Sequence, residues 1–181
     1  MPARARQLGR RQRVFHVVAQ SYAEPISPGS LVSIFGSNLA TTTMTAQTMP
    51  LPTELAGTSV TVNGTEAALL FVSPTQINFQ APSTLQSSAV FTQATVVVTT
   101  PVGSSVPAEV SVYGFSPGVF TANGTGCGQA VALNVQTDGT MSVNSPSNSA
   151  EPGDYVALYG TGFANSLSSF SPPVVWEDGQ C

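Results

Sequence analysis

Short runs of alternating apolar and polar residues dominate the chain. In "SLVSIFG" (Ser30–Gly36), Leu31, Ser33 and Phe35 share one face, and Val32 and Ile34 share the other. "TSVTVNG" (Thr58–Gly64) places Val60 and Val62 together and ends on Asn63-Gly64, a pair suited to the positive φ angles of a tight hairpin. "EAALLFVS" (Glu66–Ser73) reads as its return strand. "QINFQAP" follows from Gln76, with Ile77 and Phe79 on one face. "ATVVVTT" (Ala94–Thr100) and "VPAEVSVYG" (Val106–Gly114) form the next pair, and "RVFHVVAQ" (Arg13–Gln20) predicts an initial edge strand. Helix signals are nearly absent, because Gly and Pro interrupt every stretch that might form one. "LATTTMTAQTMPLPTELAG" (Leu39–Gly57) reads as a loop with at most one helical turn.

About seven strands within about a hundred residues predict an all-β, immunoglobulin-like sandwich. Beyond Gly114 the pattern predicts a strand at Val119–Ala122 and a Gly-rich loop. A hairpin turning at Asp138-Gly139 comes next, then a strand over Asp154–Gly160. That last stretch echoes an earlier one. "EPGDYVALYGTGFA" (Glu151–Ala164) aligns without a gap to "SPGSLVSIFGSNLA" (Ser27–Ala40), repeating Pro28-Gly29, Val32, Gly36 and Ala40 as Pro152-Gly153, Val156, Gly160 and Ala164. The first copy starts a sandwich. The second is followed only by residues 161–181, with one short strand around Val174–Trp176, so a partial second β unit is expected there. The organisation expected is a basic tail over 1–13, a sandwich over 14–115, and a hairpin with an incomplete second unit over 116–181. Unpaired edges and exposed Val156, Leu158, Val174 and Trp176 would favour docking of this segment on the first sandwich or self-association with another chain.

Composition sharpens this picture. The chain is 41% hydrophobic, which can fill a core, and only 8% charged. It has no Lys, and all five Arg lie within residues 1–13; nine acidic residues follow. A surface without Lys or Arg cannot displace phosphate counterions, so the body is not expected to bind nucleic acid. No apolar run is long enough to span a membrane as a helix. The basic opening lacks the long apolar stretch of a secretory signal. The two cysteines, Cys127 and Cys181, are compatible with one disulfide or with two separate thiols.

Candidate chemistry is sparse. The one His, His16, sits in the first strand with no nucleophile motif to serve. "NGTGCGQ" (Asn123–Gln129) has the glycines of a phosphate loop but neither the Lys nor the following helix, and reads as a loop of unusual backbone angles. Cys127 has no cation near it in sequence to lower its pKa. Glu151 with Asp154, and Glu177 with Asp178, offer too few oxygens for a Ca²⁺ site. No catalytic residue, cofactor or metal is expected. The most unusual run is "SPTQINFQAP" (Ser73–Pro82). Its strand sets Gln76, Asn78 and Gln80 in a row, which could grip sugar hydroxyls or a partner, with Trp176, Tyr113 and Tyr159 as stacking platforms. The alternative is a solvated face whose amides bond to their neighbours.

The phrase Pro-Gly-x-x-Val-x-Ile/Leu-x-Gly-x-x-Leu/Phe resembles the opening of TIG/IPT domains, which are immunoglobulin-like. The ordered set "SPGSLVSIFGSNLA", "LPTELAGTSVTVNG", "FVSPTQINFQAP", "SPGVFTANGTGCGQAVALN" and "DGTMSVNSPSNSAEPGDYVALYGTGF" resembles, more narrowly, a C-terminal domain family of Solibacter-type soil acidobacteria. The resemblance spans roughly Val14 to Pro173 and implies a module of a secreted or cell-surface protein. The function expected is a non-catalytic extracellular module with a structural, spacing or protein-interaction role. Its partners would be other proteins or neighbouring modules of a longer chain. A carbohydrate-binding module is the alternative.

Overall fold

A computed structural model describes residues 25–85 and 92–163, together with the backbone of 15–19. Every regular element among the described residues is a strand. The first eleven are β1 (Phe15–Ala19), β2 (Leu31–Gly36), β3 (Met44–Thr45), β4 (Glu54–Leu55), β5 (Thr58–Val62), β6 (Thr65–Glu66), β7 (Ala68–Val72), β8 (Gln76–Gln80), β9 (Thr92–Thr100), β10 (Gly103–Ser104) and β11 (Ala108–Val112). The last five are β12 (Gly118–Val119), β13 (Ala132–Val135), β14 (Met141–Val143), β15 (Tyr155–Leu158) and β16 (Gly160–Thr161).

The first eleven strands build an immunoglobulin-like sandwich. One sheet runs β1-β2-β8-β7-β3; the other runs β10-β9-β5-β4, with β11 on β9 and β6 on β5. The alternation along each strand decides what lies between the sheets. From the first sheet come Val32, Ile34, Leu69, Val72, Ile77 and Phe79; from the second come Val60, Val62, Val96, Val98 and Val112, all fully buried. Burying each such side chain contributes roughly 1.5–3 kcal/mol. Lys and Arg are absent from the described residues, so ion pairs with them take no part in holding the sheets together. Ile26 enters beside β11 through a parallel bridge to Val112. The Pro28-Gly29 turn, with Gly29 at φ 73°, then carries the chain into β2 of the opposite sheet.

The structure departs from the sequence expectation in three places. Glu66–Ser73 is not one strand. Asn63-Gly64 forms the expected turn, both residues having positive φ, but β6 lasts only two residues before the chain crosses at buried Ala67 into the other sheet as β7. Alternation cannot register such a crossing, because it leaves residues on both sides of the switch pointing inward. Leu39–Gly57 is not simply a loop, since β3 and β4 within it cap one edge of each sheet. The strand expected at Val119–Ala122 is shorter: β12 stops at Val119, and Thr121 makes only a bridge to Ala130.

Beyond the sandwich, β13 lies between β14 and β15 in a three-stranded antiparallel sheet, and β12 pairs with β16. The β13–β14 hairpin turns at Asp138-Gly139 as expected, with Gly139 at φ 86°. Val156 and Leu158 of β15 are half exposed, at 48% and 52%.

Phe79 is the largest fully buried side chain of the sandwich. Phe79→Ala should cost about 3–5 kcal/mol through lost burial and a residual cavity. A urea unfolding midpoint would register that loss, with the slope of the transition unchanged.

Candidate functional site

The amide row is built by β8, whose odd residues lock into the core while Gln76, Asn78 and Gln80 point outward. The strand is central, with β2 on one side and β7 on the other, so its position is rigidly set. The amides bond mainly to the protein itself. Gln76 Nε2 donates to Asn78 Oδ1 at 2.8 Å, and Ser33 Oγ donates to the same oxygen at 2.9 Å. Gln80 Nε2 donates to the Gly29 carbonyl at 3.1 Å, tying the row to the Pro28-Gly29 turn. The Gln76 backbone closes a second tight loop, its N–H donating to Ser73 Oγ at 2.9 Å. The row therefore behaves as a bonded outer face of the first sheet. Tyr113 lies in the sandwich and Tyr159 in the second unit; Trp176 falls outside the described residues.

Cys127 sits in the loop after Thr121, where Gly124, Gly126 and Gly128 all adopt positive φ. Thr125 organises that loop, its hydroxyl donating to Asn123 Oδ1 at 2.9 Å and its N–H to the same oxygen at 3.1 Å. The glycines serve backbone conformation, as the sequence suggested. Cys127 is not a free thiol. Its proposed partner, Cys181, lies outside the described residues. Among the described residues no group of three His, Cys, Asp or Glu side chains is placed to hold a metal ion, and no helix is long and apolar enough to cross a membrane.

A second arrangement, missed in the sequence, joins the two units. Thr161 is buried, and its Oγ1 accepts the backbone N–H of Leu31, the first residue of β2, at 2.7 Å. Within the second unit, one residue on, the Gly162 carbonyl accepts the Ser116 N–H at 3.0 Å. Gly162 has φ 76°, and any Cβ there would collide with the Ser116 carbonyl. A Cβ on Gly160 would lie 2.5 Å from the Gly118 carbonyl oxygen. The "GTG" of the echo thus lets two backbones approach where a side chain would hold them apart. The signal was present in the alignment. Gly162 matches Asn38, and both adopt left-handed φ, at 76° and 57°.

The two copies also make the same turn. Ser30 N–H donates to the Ser27 carbonyl at 3.0 Å, and Asp154 N–H donates to the Glu151 carbonyl at 3.1 Å. In each, the fourth residue's side chain accepts the first residue's N–H: Ser27 N to Ser30 Oγ, and Glu151 N to Asp154 Oδ2, both at 3.1 Å. Asp138 caps the hairpin in a related way. The Thr140 backbone N–H donates to Asp138 Oδ1 at 2.8 Å and, with the Thr140 side chain, holds the carboxyl below the usual carboxylate range.

A model of the IPT/TIG domain family matches residues 20–125, more than half of the chain. No curated protein and no solved structure matches it.

The lowered Asp138 pKa sets a pH dependence. A depressed carboxyl favours the folded hairpin above its unfolded pKa, and that contribution is lost as pH falls through the lower folded value. In an NMR titration the Thr140 amide should keep its folded shift through the ordinary Asp range and move only below it. Asp138→Asn should abolish that movement.

Proposed function

We propose that this chain, which belongs to the IPT/TIG domain family, is a non-catalytic extracellular module that spaces neighbouring modules and contacts other proteins. IPT/TIG domains are generally non-catalytic, immunoglobulin-like modules that take part in protein interaction, and they are typically not enzymes. The units of the proposal are the sandwich over 14–115 and the smaller unit over 116–181.

The observation that carries the spacing role is the joint. Domain pairs in one chain move relative to one another by default unless their interface is large and hydrophobic, so a fixed orientation here is the point to be tested. Here buried Thr161 of the second unit accepts the Leu31 N–H at the start of β2, a directional bond between the two units that supports a set orientation. The extracellular part is supported by Cys127, which is not a free thiol, since disulfides persist in oxidising compartments. The five-motif resemblance to the Solibacter-type C-terminal domain supports a secreted or cell-surface context. The internal bonding of Gln76, Asn78 and Gln80 weighs against carbohydrate binding, because a sugar would have to displace bonds already made.

Backbone ¹⁵N relaxation tests the joint. In the wild type, the sandwich and residues 118–161 should share one rotational correlation time. Thr161→Val leaves the Leu31 N–H without its acceptor, at a cost of roughly 1–3 kcal/mol. That variant should separate the two units into different correlation times. Two correlation times in the wild type would remove the spacing role. Turnover of any substrate that disappears on changing one polar residue would remove the non-catalytic reading.

A further inference from the structure

The three-stranded sheet ends on two strand edges, and they differ. On β14 the Asn144 N–H donates inward to the Ala132 carbonyl, so the carbonyl of the preceding Val143 points away from β13. Asn148 closes that edge, its Nδ2 donating to the Val143 carbonyl at 2.7 Å. On β15 no described residue does the same. Among the described strands β15 pairs with β13 alone. Its Tyr159 end is fixed by an N–H bond to the Val131 carbonyl at 3.0 Å. Residues that bond across an antiparallel pair alternate, so Tyr155, Ala157 and Tyr159 direct their N–H and C=O groups at β13. Val156 and Leu158 direct theirs the other way, at an edge that no described strand fills. Every residue of β15 is exposed. Edges of this kind are commonly guarded by Lys, Pro or a bulge, and Tyr155–Leu158 has none of them.

The echo shows the same edge in use. Val32 and Ile34 of β2 match Val156 and Leu158. Gly36 donates its N–H to the Thr75 carbonyl at 3.1 Å, so the same alternation turns the backbone groups of Val32 and Ile34 toward β8, opposite Phe79 and Ile77. The first copy therefore carries an antiparallel strand on the edge that the second leaves open. A strand that fills it must bring an open edge of its own. β8 has none, because it lies between β2 and β7. β15 of a second copy has one.

We propose that two copies of this chain pair antiparallel through β15, about a two-fold axis at Ala157, so that one sheet runs β14-β13-β15 and on into the partner. The pairing rests on the protein-contact role proposed above and names its partner. The strand is complementary to itself in this register. Val156 and the partner's Leu158 both bond outward and exchange both N–H···O=C bonds, as do Leu158 and the partner's Val156. Ala157 meets the partner's Ala157 at the close, non-hydrogen-bonded position, where Cα atoms approach to about 4.5 Å and a small side chain fits. On one face Tyr155 lies opposite the partner's Tyr159, an aromatic pair, and on the other Val156 lies opposite the partner's Leu158. Asp154 falls opposite the partner's Gly160, so no two carboxylates face each other. A two-residue slide one way would set Asp154 against the partner's Leu158. The opposite slide would set Tyr155 against the partner's Thr161, whose hydroxyl is committed to the Leu31 N–H. An isologous pairing of this kind closes on itself and stops at the dimer.

Amide hydrogen exchange of the full chain, from micromolar to millimolar concentration, reads this edge directly. The Val156 and Leu158 amides should slow several-fold as concentration rises, in step with the dimer fraction in sedimentation. The Ala157 amide, bonded to β13, should stay slow throughout. Val156→Pro removes a donor that faces the open edge and leaves the β13 ladder intact. That variant should sediment as a monomer, with the urea midpoint of the sandwich unchanged. Slow exchange of Val156 and Leu158 in a monomer at every concentration would overturn the proposal in favour of a strand from the same chain. Fast exchange at every concentration would overturn it outright, and so would a dimer that survives Val156→Pro. The non-catalytic reading and the joint are decided separately, by the turnover and relaxation measurements.

Discussion

The interlock of two sheets through valine, isoleucine and phenylalanine is what the rest of the molecule depends on. Lys and Arg are absent from the described residues, so attraction between opposite charges cannot compensate for a weak core. Phe79, Ile77, Val32 and Ile34 must meet Val60, Val62, Val96 and Val98 closely, and they do so with no measurable exposure. Dense packing of this kind holds strands in register, because a one-residue slip would turn the whole buried set outward. The outer surfaces follow from that constraint. Once Ile77 and Phe79 point inward, Gln76, Asn78 and Gln80 must point outward, and their mutual bonds are a consequence of strand geometry.

The second unit depends on the first in a more local way. Among the described residues the Thr161 hydroxyl accepts the Leu31 N–H across the two units, while the Gly162 carbonyl accepts the Ser116 N–H within the second unit. The bond across the units is directional, since a backbone N–H meets a buried hydroxyl. Inside the second unit the β12–β16 pairing needs glycine, because a side chain at residue 160 or 162 would occupy the space that the Gly118 or Ser116 carbonyl fills.

Much of this was legible in the chain. The period-two pattern located β2, β5, β8, β9 and β11, since each has one face in the core and one outside it. The Asn63-Gly64 and Asp138-Gly139 turns were legible because positive φ restricts which residues can turn there. The switch at Ala67 was not legible, because a strand that changes sheets keeps the same inward alternation. Nor was the joint: Thr161 reads as an ordinary turn residue until the fold brings it to the Leu31 N–H, 130 residues away in sequence. The amide row was visible as a row, but its internal bonding depends on Ser33 and Gly29, brought beside it by strands distant in sequence.

The repeated phrase shows where sequence stops and tertiary structure begins. By itself it determined the local conformation of both copies: a Pro-Gly turn closed by the same backbone bond and the same side-chain cap, an extended run, and a left-handed residue after the glycine. Those features arise within a few residues, so the same letters produce them twice. Burial was decided elsewhere. Val32 and Ile34 are sealed because they join the core that both sheets share, whereas the matching Val156 and Leu158 remain half exposed within the described residues. A strand specifies which of its faces is apolar, but what covers that face has to come from another part of the chain or from another molecule.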